Sequence, residues 1–233
     1  LFDFDTYVVC SDGDLMEGVA SEAASLAGHL ELSNLCWIYD DNKITIEGET
    51  NLAFSEDVGR RFEGFGWRIE YVEDANDAAA LSCALQSFKE EHEKPTLIVV
   101  KSIIGFGAPS KAGSHSSHGA PLGQAEIQGA KKAYGWPTDE AFHVPHGVAE
   151  HFQNSISERA EKATVSWKEA YQSLASAEPD VAKEITCMLC GELPDGWEDA
   201  IPVFPADTKG LASRVSSGKV LQSLSSAIPW FLG

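Results

Sequence analysis

Residues 6–18 read TYVVCSDGDLMEG. The first six form a short run of β-branched and apolar residues, which is typical of a buried strand in a parallel sheet, and Asp12-Gly13 after them predicts a tight turn. Over residues 16–30 apolar side chains recur every three or four positions, so a helix is expected to follow. This stretch therefore predicts a strand, a turn and a helix in succession.

The same alternation continues along the chain. Buried strands are predicted at residues 35–39, 67–72 and 96–101, and helices at 55–62 and 75–92. Strands that alternate with helices predict an α/β fold, in which a parallel sheet has helices on both faces. Ligands of such folds bind at the carboxyl ends of the strands, so the residues that follow each strand are the first candidates for a site.

The second half of the chain has a different pattern. A loop rich in Gly, Ser, Ala and His runs over residues 105–123, and its length is typical of a lid or binding loop. Helical patterns follow, and residues 191–209 then hold three prolines and no helical period. We therefore predict a first domain over 1–190, an interdomain linker over 191–209 and the start of another domain over 210–233.

Composition excludes several classes of function. The 233 residues include 36 Asp and Glu against 17 Lys and Arg, a formal net charge of −19, which disfavours nucleic acid and anionic membranes as partners. No apolar run approaches the roughly 20 residues of a membrane span. Five cysteines, an odd number in a chain of this size, are expected to be free thiols and favour a reducing compartment, the cytoplasm or an organelle interior.

Two polar residues lie at the ends of neighbouring predicted strands. Asp12 follows one strand and Asn42 follows the next, and both could lie at the same edge of the sheet. One carboxylate, one amide oxygen and a main-chain carbonyl, such as that of Ile44, would suit Mg²⁺ together with two diphosphate oxygens. Gly13 would let a diphosphate approach the backbone. Asp-Gly and Asp-Asn are also ordinary turn residues, so a simple pair of turns remains the alternative.

Longer motifs resemble a known family. SDGDLMEG at residues 11–18, YDDNKITIEG at 39–48, the IGFG…HGAPLG loop at 104–123 and FHVP at 142–145 are similar to the thiamine-diphosphate signature and the specific loops of transketolases. The resemblance continues in order across nearly the whole chain. It implies the thiamine-diphosphate-binding fold, with residues 1–190 as the diphosphate-binding domain and 210–233 as the start of the pyrimidine-binding domain.

The resemblance also implies a cofactor and its ligands. Thiamine diphosphate would be bound through Mg²⁺, or through Ca²⁺ or Mn²⁺. By this resemblance the metal ligands are Asp12, Asn42 and the carbonyl of Ile44, and Gly13 contacts the diphosphate. Ile104 matches an apolar residue beside the thiazolium ring.

Four further residues match catalytic or substrate-binding positions of the family. His118 matches a histidine that reaches both the diphosphate and the reacting substrate. Glu17 and Glu22 match a carboxylate network that crosses the dimer interface beside the cofactor, and we count both with the catalytic residues. Arg214 matches an arginine that holds the phosphate of the substrate.

The implied activity is that of a transferase in the pentose phosphate pathway. It would move a two-carbon ketol unit from a ketose phosphate to an aldose phosphate, in a homodimer with active sites at the interface. Dihydroxyacetone synthase is an alternative with the same chemistry, and a noncatalytic module or one subunit of a split enzyme is another. The family's cofactor-activating glutamate comes from the pyrimidine-binding domain, so the isolated 233 residues are expected to be inactive.

Some residues depart from the family pattern or have simpler explanations. Ser11 replaces a usual glycine and Asp14 a neutral residue, so the fit of the diphosphate is expected to change. His115-x-x-His118 could be half of a metal site, although a solvated loop pair is the simpler reading. Cys187-x-x-Cys190 predicts a helix end with two incidental thiols, because no second pair is present for zinc.

Overall fold

The computed structural model describes residues 1–232, and its centre is a four-stranded sheet. Every neighbouring pair of strands is parallel, in the order β1-β2-β4-β3. The strands are β1 (Thr6–Ser11), β2 (Leu35–Asp41), β3 (Arg68–Val72) and β4 (Thr96–Lys101). Since parallel strands all end at one edge, the residues after β1 and β2 are neighbours. The predicted α/β fold with a parallel sheet is confirmed.

Helices cover both faces of this sheet. They are α1 (Asp12–Met16), α2 (Gly18–His29), α3 (Val58–Gly64) and α4 (Ala78–Lys89). Alternate residues of β4 show the two sides: Leu97 belongs to a core that includes residues of α2 and α3, and Ile98 belongs to a second core with residues of α4. Burial on both faces explains why β4 reads as a continuous apolar run.

The helix predicted over residues 16–30 is in fact two helices. α1 begins directly after β1, and α2 follows after Glu17, whose backbone is extended (φ −74°, ψ 136°). The Asp14 carboxylate accepts hydrogen bonds from the main-chain N–H and the hydroxyl of Ser11, at 2.8 and 3.1 Å. These bonds stabilise a helix start one turn earlier than the apolar period indicated.

Two other helices begin later than predicted, also because of a side-chain cap. α3 begins after Asp57, whose carboxylate accepts from the N–H of Arg60 at 3.1 Å. α4 begins after Asp77, whose carboxylate accepts from the N–H groups of Ala79 and Ala80. A capping aspartate fixes where a helix begins, whereas apolar spacing fixes only which face is buried.

Packing divides the chain into two compact units, residues 2–143 and, together with residue 1, the residues from 144 onward. The first unit also contains a long loop with one 3-10 turn (His115–Ser117) and α5 (Gln124–Ala133). The second unit consists of α6 (Val148–Ala177), α7 (Pro179–Cys190), a 3-10 turn (Trp197–Ala200) and α8 (Ser213–Ala227). The domain limits 1–190, 191–209 and 210–233 stay a prediction. None of the helices over residues 1–232 has the length and apolar character needed to cross a membrane.

Candidate functional site

The buried carboxylate of Asp12 lies against the turn that follows β2. Its side chain is fully buried, and each oxygen accepts a different hydrogen bond. The hydroxyl of Tyr39 donates to Oδ1 at 2.6 Å, and the main-chain N–H of Lys43 donates to Oδ2 at 3.0 Å. Burial raises the pKa of the Asp12 carboxyl, while the bond from Tyr39 opposes that rise. The carboxylate is therefore held in one orientation and retains lone pairs for a further ligand.

The turn after β2 holds the other two predicted metal ligands. Oδ1 of Asn42 accepts from the N–H of Ile44 at 2.9 Å, and Nδ2 of Asn42 donates to Oδ2 of Asp40 at 3.1 Å. Lys43 between them has a left-handed backbone (φ +64°), which is uncommon for a residue other than glycine. The structure thus brings Asp12 beside the turn of Asn42 and Ile44, and their role as metal ligands stays a prediction.

The charges around Asp12 fit a cation. Asp41 is also buried, but its Oδ1 lies 2.5 Å from Nζ of Lys43. None of the ion pairs among residues 1–232 includes Asp12. A buried carboxylate without a cationic partner is costly, and a divalent ion with oxygen ligands would supply the missing positive charge.

A cleft of about 460 Å³ opens at the residues on either side of Asp12, Ser11 and Gly13, whereas the buried Asp12 is not among the residues that line it. It is lined by Gly13 and Glu17 from the start of the helical layer, by Thr45 after β2 and by His118 from the long loop. A Cβ atom added at Gly13 would meet no protein atom within 4 Å, so the space beside this backbone is open. The structure therefore brings Gly13, Glu17 and His118, which are far apart in sequence, to one cleft.

Three predicted site residues lie elsewhere. Glu22 is exposed and lines a different cleft with His29, so the structure does not place it with Glu17. Ile104 is half-buried in the long loop and is not among the residues that line the cleft of His118. Arg214 is exposed near the start of α8, in the other compact unit. Their roles stay predictions.

Ser11 and Asp14, the two departures from the family pattern, interact with each other. Both line the cleft of His118, and the Ser11 hydroxyl contacts the Asp14 carboxylate. The two residues act as one capping pair, which explains why they occur together. The expected effect of Ser11 on the fit of a diphosphate stays a prediction.

Tyr39, Asp40 and Asp41 were missed as site residues, because the strand pattern accounted for Tyr39 and a turn accounted for the two aspartates. Their side chains contact Asp12, Asn42 and Lys43. A buried tyrosine needs a partner for its hydroxyl, and two aspartates follow it at the end of a strand. That combination is the signal that could have identified them.

The histidine pair His115 and His118 and the cysteine pair Cys187 and Cys190 do not belong to a metal-binding group. Among residues 1–232, no group of three or more His, Cys, Asp or Glu side chains could hold a metal ion unaided. His115 and His118 are both exposed at one 3-10 turn, and Cys187 and Cys190 are free thiols at the end of α7. Any ion at Asp12 would therefore take further ligands from main-chain oxygens, from Asn42 or from a bound molecule.

Comparisons with known proteins agree on one family. Residues 1–194 match the family model "Transketolase, thiamine diphosphate binding domain". A transketolase of Geobacillus stearothermophilus is 46% identical over 228 residues, which cover 98% of this chain and 34% of the relative. One from Bacillus subtilis is 45% identical over 231 residues, with 99% and 34% covered. The chain thus spans about a third of the length of these relatives.

Solved structures give the same result. A transketolase from Pichia stipitis in complex with sedoheptulose 7-phosphate has a TM-score of 0.86 and 41% identity, covering 97% of this chain and 33% of that one. A transketolase from Campylobacter jejuni has a TM-score of 0.82 and 36% identity, covering 100% of this chain and 35% of that one. Both structural similarities cover nearly all residues of this chain.

Proposed function

The chain belongs to the transketolase family, and from that membership we propose that it forms the diphosphate-binding part of an enzyme that transfers two-carbon ketol units between sugar phosphates. Its first 194 residues correspond to the family's thiamine-diphosphate-binding domain. The cofactor, when bound, supplies a nucleophilic ring carbon that no protein side chain provides. This chain would bind and orient the cofactor, and its side chains would donate or accept protons near it.

One observation carries the proposal: the buried Asp12 is joined to the turn of Asn42 and Ile44, and the residues that follow them in the chain, Gly13 and Thr45, line one open cleft. Asp12, the Asn42 carboxamide oxygen and the Ile44 carbonyl would hold Mg²⁺, or Ca²⁺ or Mn²⁺, and the ion would share its remaining positions with the diphosphate. Held on strand ends of a rigid sheet, such a site fixes the diphosphate and therefore the direction of the reactive ring.

The cleft residues support roles toward the cofactor and the substrate. Gly13 leaves room for the diphosphate beside the backbone. His118 is exposed in the same cleft, and an imidazole can accept or donate a proton near neutral pH, which suits a hydroxyl of a sugar substrate. Ile104, in the loop before His118, would contribute an apolar surface to the ring.

The outer surface of α2 supports a homodimer. Val19 and Leu26 are 69% and 58% exposed on this helix, which is unfavourable in water unless another surface covers them. Glu17, which precedes α2, and Glu22, on α2, are both exposed and would join the proposed carboxylate network across the interface. A second copy of the protein is therefore the proposed partner, with the active site between the subunits.

Sugar phosphates are the proposed substrates, and the reaction would belong to the pentose phosphate pathway. The Pichia stipitis relative was solved with such a molecule bound. Arg214 would hold the phosphate, because a guanidinium presents two parallel donors to phosphate oxygens. The free cysteines support a reducing compartment, the cytoplasm or an organelle interior.

Thermal unfolding of the 233-residue chain tests cofactor binding. Mg²⁺ alone and thiamine diphosphate alone are expected to change the unfolding temperature little, and the two together to raise it, since each completes the site for the other. Thiamine without its diphosphate, added with Mg²⁺, is the matched control and should have no effect. Equal stabilisation by thiamine, or none by the joint addition, would contradict the proposal.

The reaction is tested with the intact protein that contains this chain. Xylulose 5-phosphate as donor is expected to react with ribose 5-phosphate as acceptor. Preference for formaldehyde as acceptor would indicate dihydroxyacetone synthase instead, and no turnover with either acceptor would indicate a noncatalytic module. The isolated 233 residues are expected to have no turnover.

A further inference from the structure

Tyr39 is a core residue with one polar atom at the candidate site. Its side chain is 1% exposed and belongs to the core beneath α2 and α3. The hydroxyl lies 2.6 Å from Oδ1 of Asp12 and 3.0 Å from Oδ1 of Asp41. A phenylalanine would fill the same volume of the core, so packing does not explain the hydroxyl. The two neighbouring carboxylates, those of Asp12 and Asp41, explain it.

The single proton of this hydroxyl has a preferred acceptor. A phenol can donate to one carboxylate at a time, and the shorter distance is to Asp12. Asp41 already has a cation, because Nζ of Lys43 lies 2.5 Å from its Oδ1. Over residues 1–232 Asp12 takes part in no ion pair, so the bond from Tyr39 matters more to Asp12 than to Asp41.

Two donors on two different oxygens restrict the rotation of the Asp12 carboxylate. Tyr39 binds Oδ1, and the main-chain N–H of Lys43 binds Oδ2. Each carboxylate oxygen has a second lone pair, and these remain free for a cation. Groups that hydrogen-bond a metal ligand in this way orient it, and their removal weakens metal affinity about 10- to 100-fold.

We propose that Tyr39 is a positioning residue, which holds the Asp12 carboxylate in the orientation that binds the divalent cation of the diphosphate site. This inference rests on the proposed function, since Asp12 must be a metal ligand for its orientation to matter. Tyr39 acts through Asp12 and contacts neither the cofactor nor the substrate. The hydroxyl of Tyr39, rather than its ring, orients the Asp12 carboxylate.

The test is Tyr39→Phe in the 233-residue chain, titrated with Mg²⁺ at a fixed excess of thiamine diphosphate by isothermal calorimetry. The Mg²⁺ dissociation constant is expected to rise about tenfold or more. Tyr7→Phe is the matched control, because its hydroxyl also contacts an aspartate, Asp5, but at the other end of β1. The control should keep the Mg²⁺ affinity of the unaltered chain.

A purely structural role for Tyr39 has a different signature. It would lower the unfolding temperature of the ligand-free Tyr39→Phe chain and leave the Mg²⁺ dissociation constant unchanged, which would overturn the proposal. If the unaltered chain shows no joint binding of Mg²⁺ and thiamine diphosphate, the proposed function fails and this inference fails with it. If the unaltered chain binds and Tyr39→Phe binds equally well, only this inference fails.

A second measurement keeps the inference testable if Tyr39→Phe is too unstable to titrate in buffer. Sucrose is excluded from the protein surface and favours the folded chain, so the Mg²⁺ titrations of Tyr39→Phe and of the unaltered chain are repeated in sucrose. The dissociation constant of Tyr39→Phe is again expected to be about tenfold or more above that of the unaltered chain. Equal constants in sucrose would overturn the proposal.

Discussion

The main-chain N–H of Lys43 donates to Oδ2 of Asp12 at 3.0 Å, which joins the end of β1 to the turn after β2. The two strands are parallel neighbours, and Ser11 lies opposite Asp40 in their register. Because both strands end at the same edge, residues that are 31 positions apart in sequence meet there. The candidate site is thus a direct consequence of the sheet order, and its residues can be tested one at a time.

Asp12→Ala is expected to abolish the joint stabilisation by Mg²⁺ and thiamine diphosphate. It removes the buried carboxylate and leaves the main-chain N–H of Lys43 without its acceptor, whereas the Tyr39 hydroxyl can still donate to Asp41, so the ligand-free chain should also lose about 1–3 kcal/mol of stability. Thermal unfolding with and without both ligands measures the two effects. Asp77→Ala is the control: it removes a helix cap, costs about 1 kcal/mol and should keep the ligand response. A retained response in Asp12→Ala would show that the carboxylate is not a ligand.

Ser11 and Asp14 are expected to be energetically coupled. The Asp14 carboxylate accepts both donors of Ser11, so Asp14→Ala should destabilise the chain by about 1 kcal/mol. Ser11→Ala in the Asp14→Ala background should then cost less than Ser11→Ala alone. Urea unfolding of the two single variants and the double variant gives the coupling energy. Strictly additive losses would mean that the two residues do not act as a pair.

Gly28→Ala is expected to destabilise the first compact unit by about 1–3 kcal/mol, because the site has no room for a methyl group. A Cβ atom at Gly28 would lie 1.9 Å from the carbonyl oxygen of Phe65, which belongs to the backbone and cannot easily move. Gly18→Ala in the same helix is the control, because a Cβ there meets nothing within 4 Å, and it should be neutral or slightly stabilising. Urea unfolding compares the two variants; equal stability would refute the close packing at Gly28.

Cys36 is expected to resist alkylation while the chain is folded. It is fully buried, and burial raises the pKa of its thiol to about 12, so at pH 8 almost none is present as the reactive thiolate. Cys83 and Cys190 are exposed and should react first. Mass spectrometry after brief treatment with iodoacetamide identifies the modified positions. Cys36 should become reactive in urea; modification at the rate of Cys83 without urea would show that β2 is not buried as described.

The sequence predicted strand positions better than helix starts, and it predicted the site only in part. β1 and β4 have the predicted limits, but only β4 is buried on both faces: β1 lies at the edge of the sheet and leaves Tyr7 and Val9 exposed, so its predicted burial is wrong. α1 was missed, since its start depends on the bonds between Ser11 and Asp14, which leave no periodic pattern. The approach of Asp12 to the turn at Asn42 followed from strand order.

The contributions of Tyr39 and Asp40 were not predictable in the same way. Tyr39 satisfies the strand pattern whether or not its hydroxyl has a partner, and the contact with Asp12 forms only in the folded protein. Asp40 likewise reads as a turn residue, yet its Oδ2 accepts from Nδ2 of Asn42 and so fixes which way the carboxamide oxygen points. Strand order therefore identifies the candidate ligands, whereas the side-chain hydrogen bonds that orient them emerge only in three dimensions.

Arg214→Ala tests the proposed phosphate site separately from the cofactor site. Asp12 and Arg214 belong to different compact units, so the joint effect of Mg²⁺ and thiamine diphosphate on thermal unfolding should be unchanged. In the intact protein that contains this chain, the Michaelis constant for xylulose 5-phosphate should rise at least about tenfold, because charge-assisted bonds to the phosphate are lost. Arg214→Lys should recover only part of it, since an ammonium lacks the two-pronged donor geometry. Arg159→Ala, another exposed arginine, is the control. If Arg214→Ala instead abolishes cofactor stabilisation and leaves the Michaelis constant unchanged, the arginine belongs to the cofactor site and its assignment to the substrate phosphate is wrong.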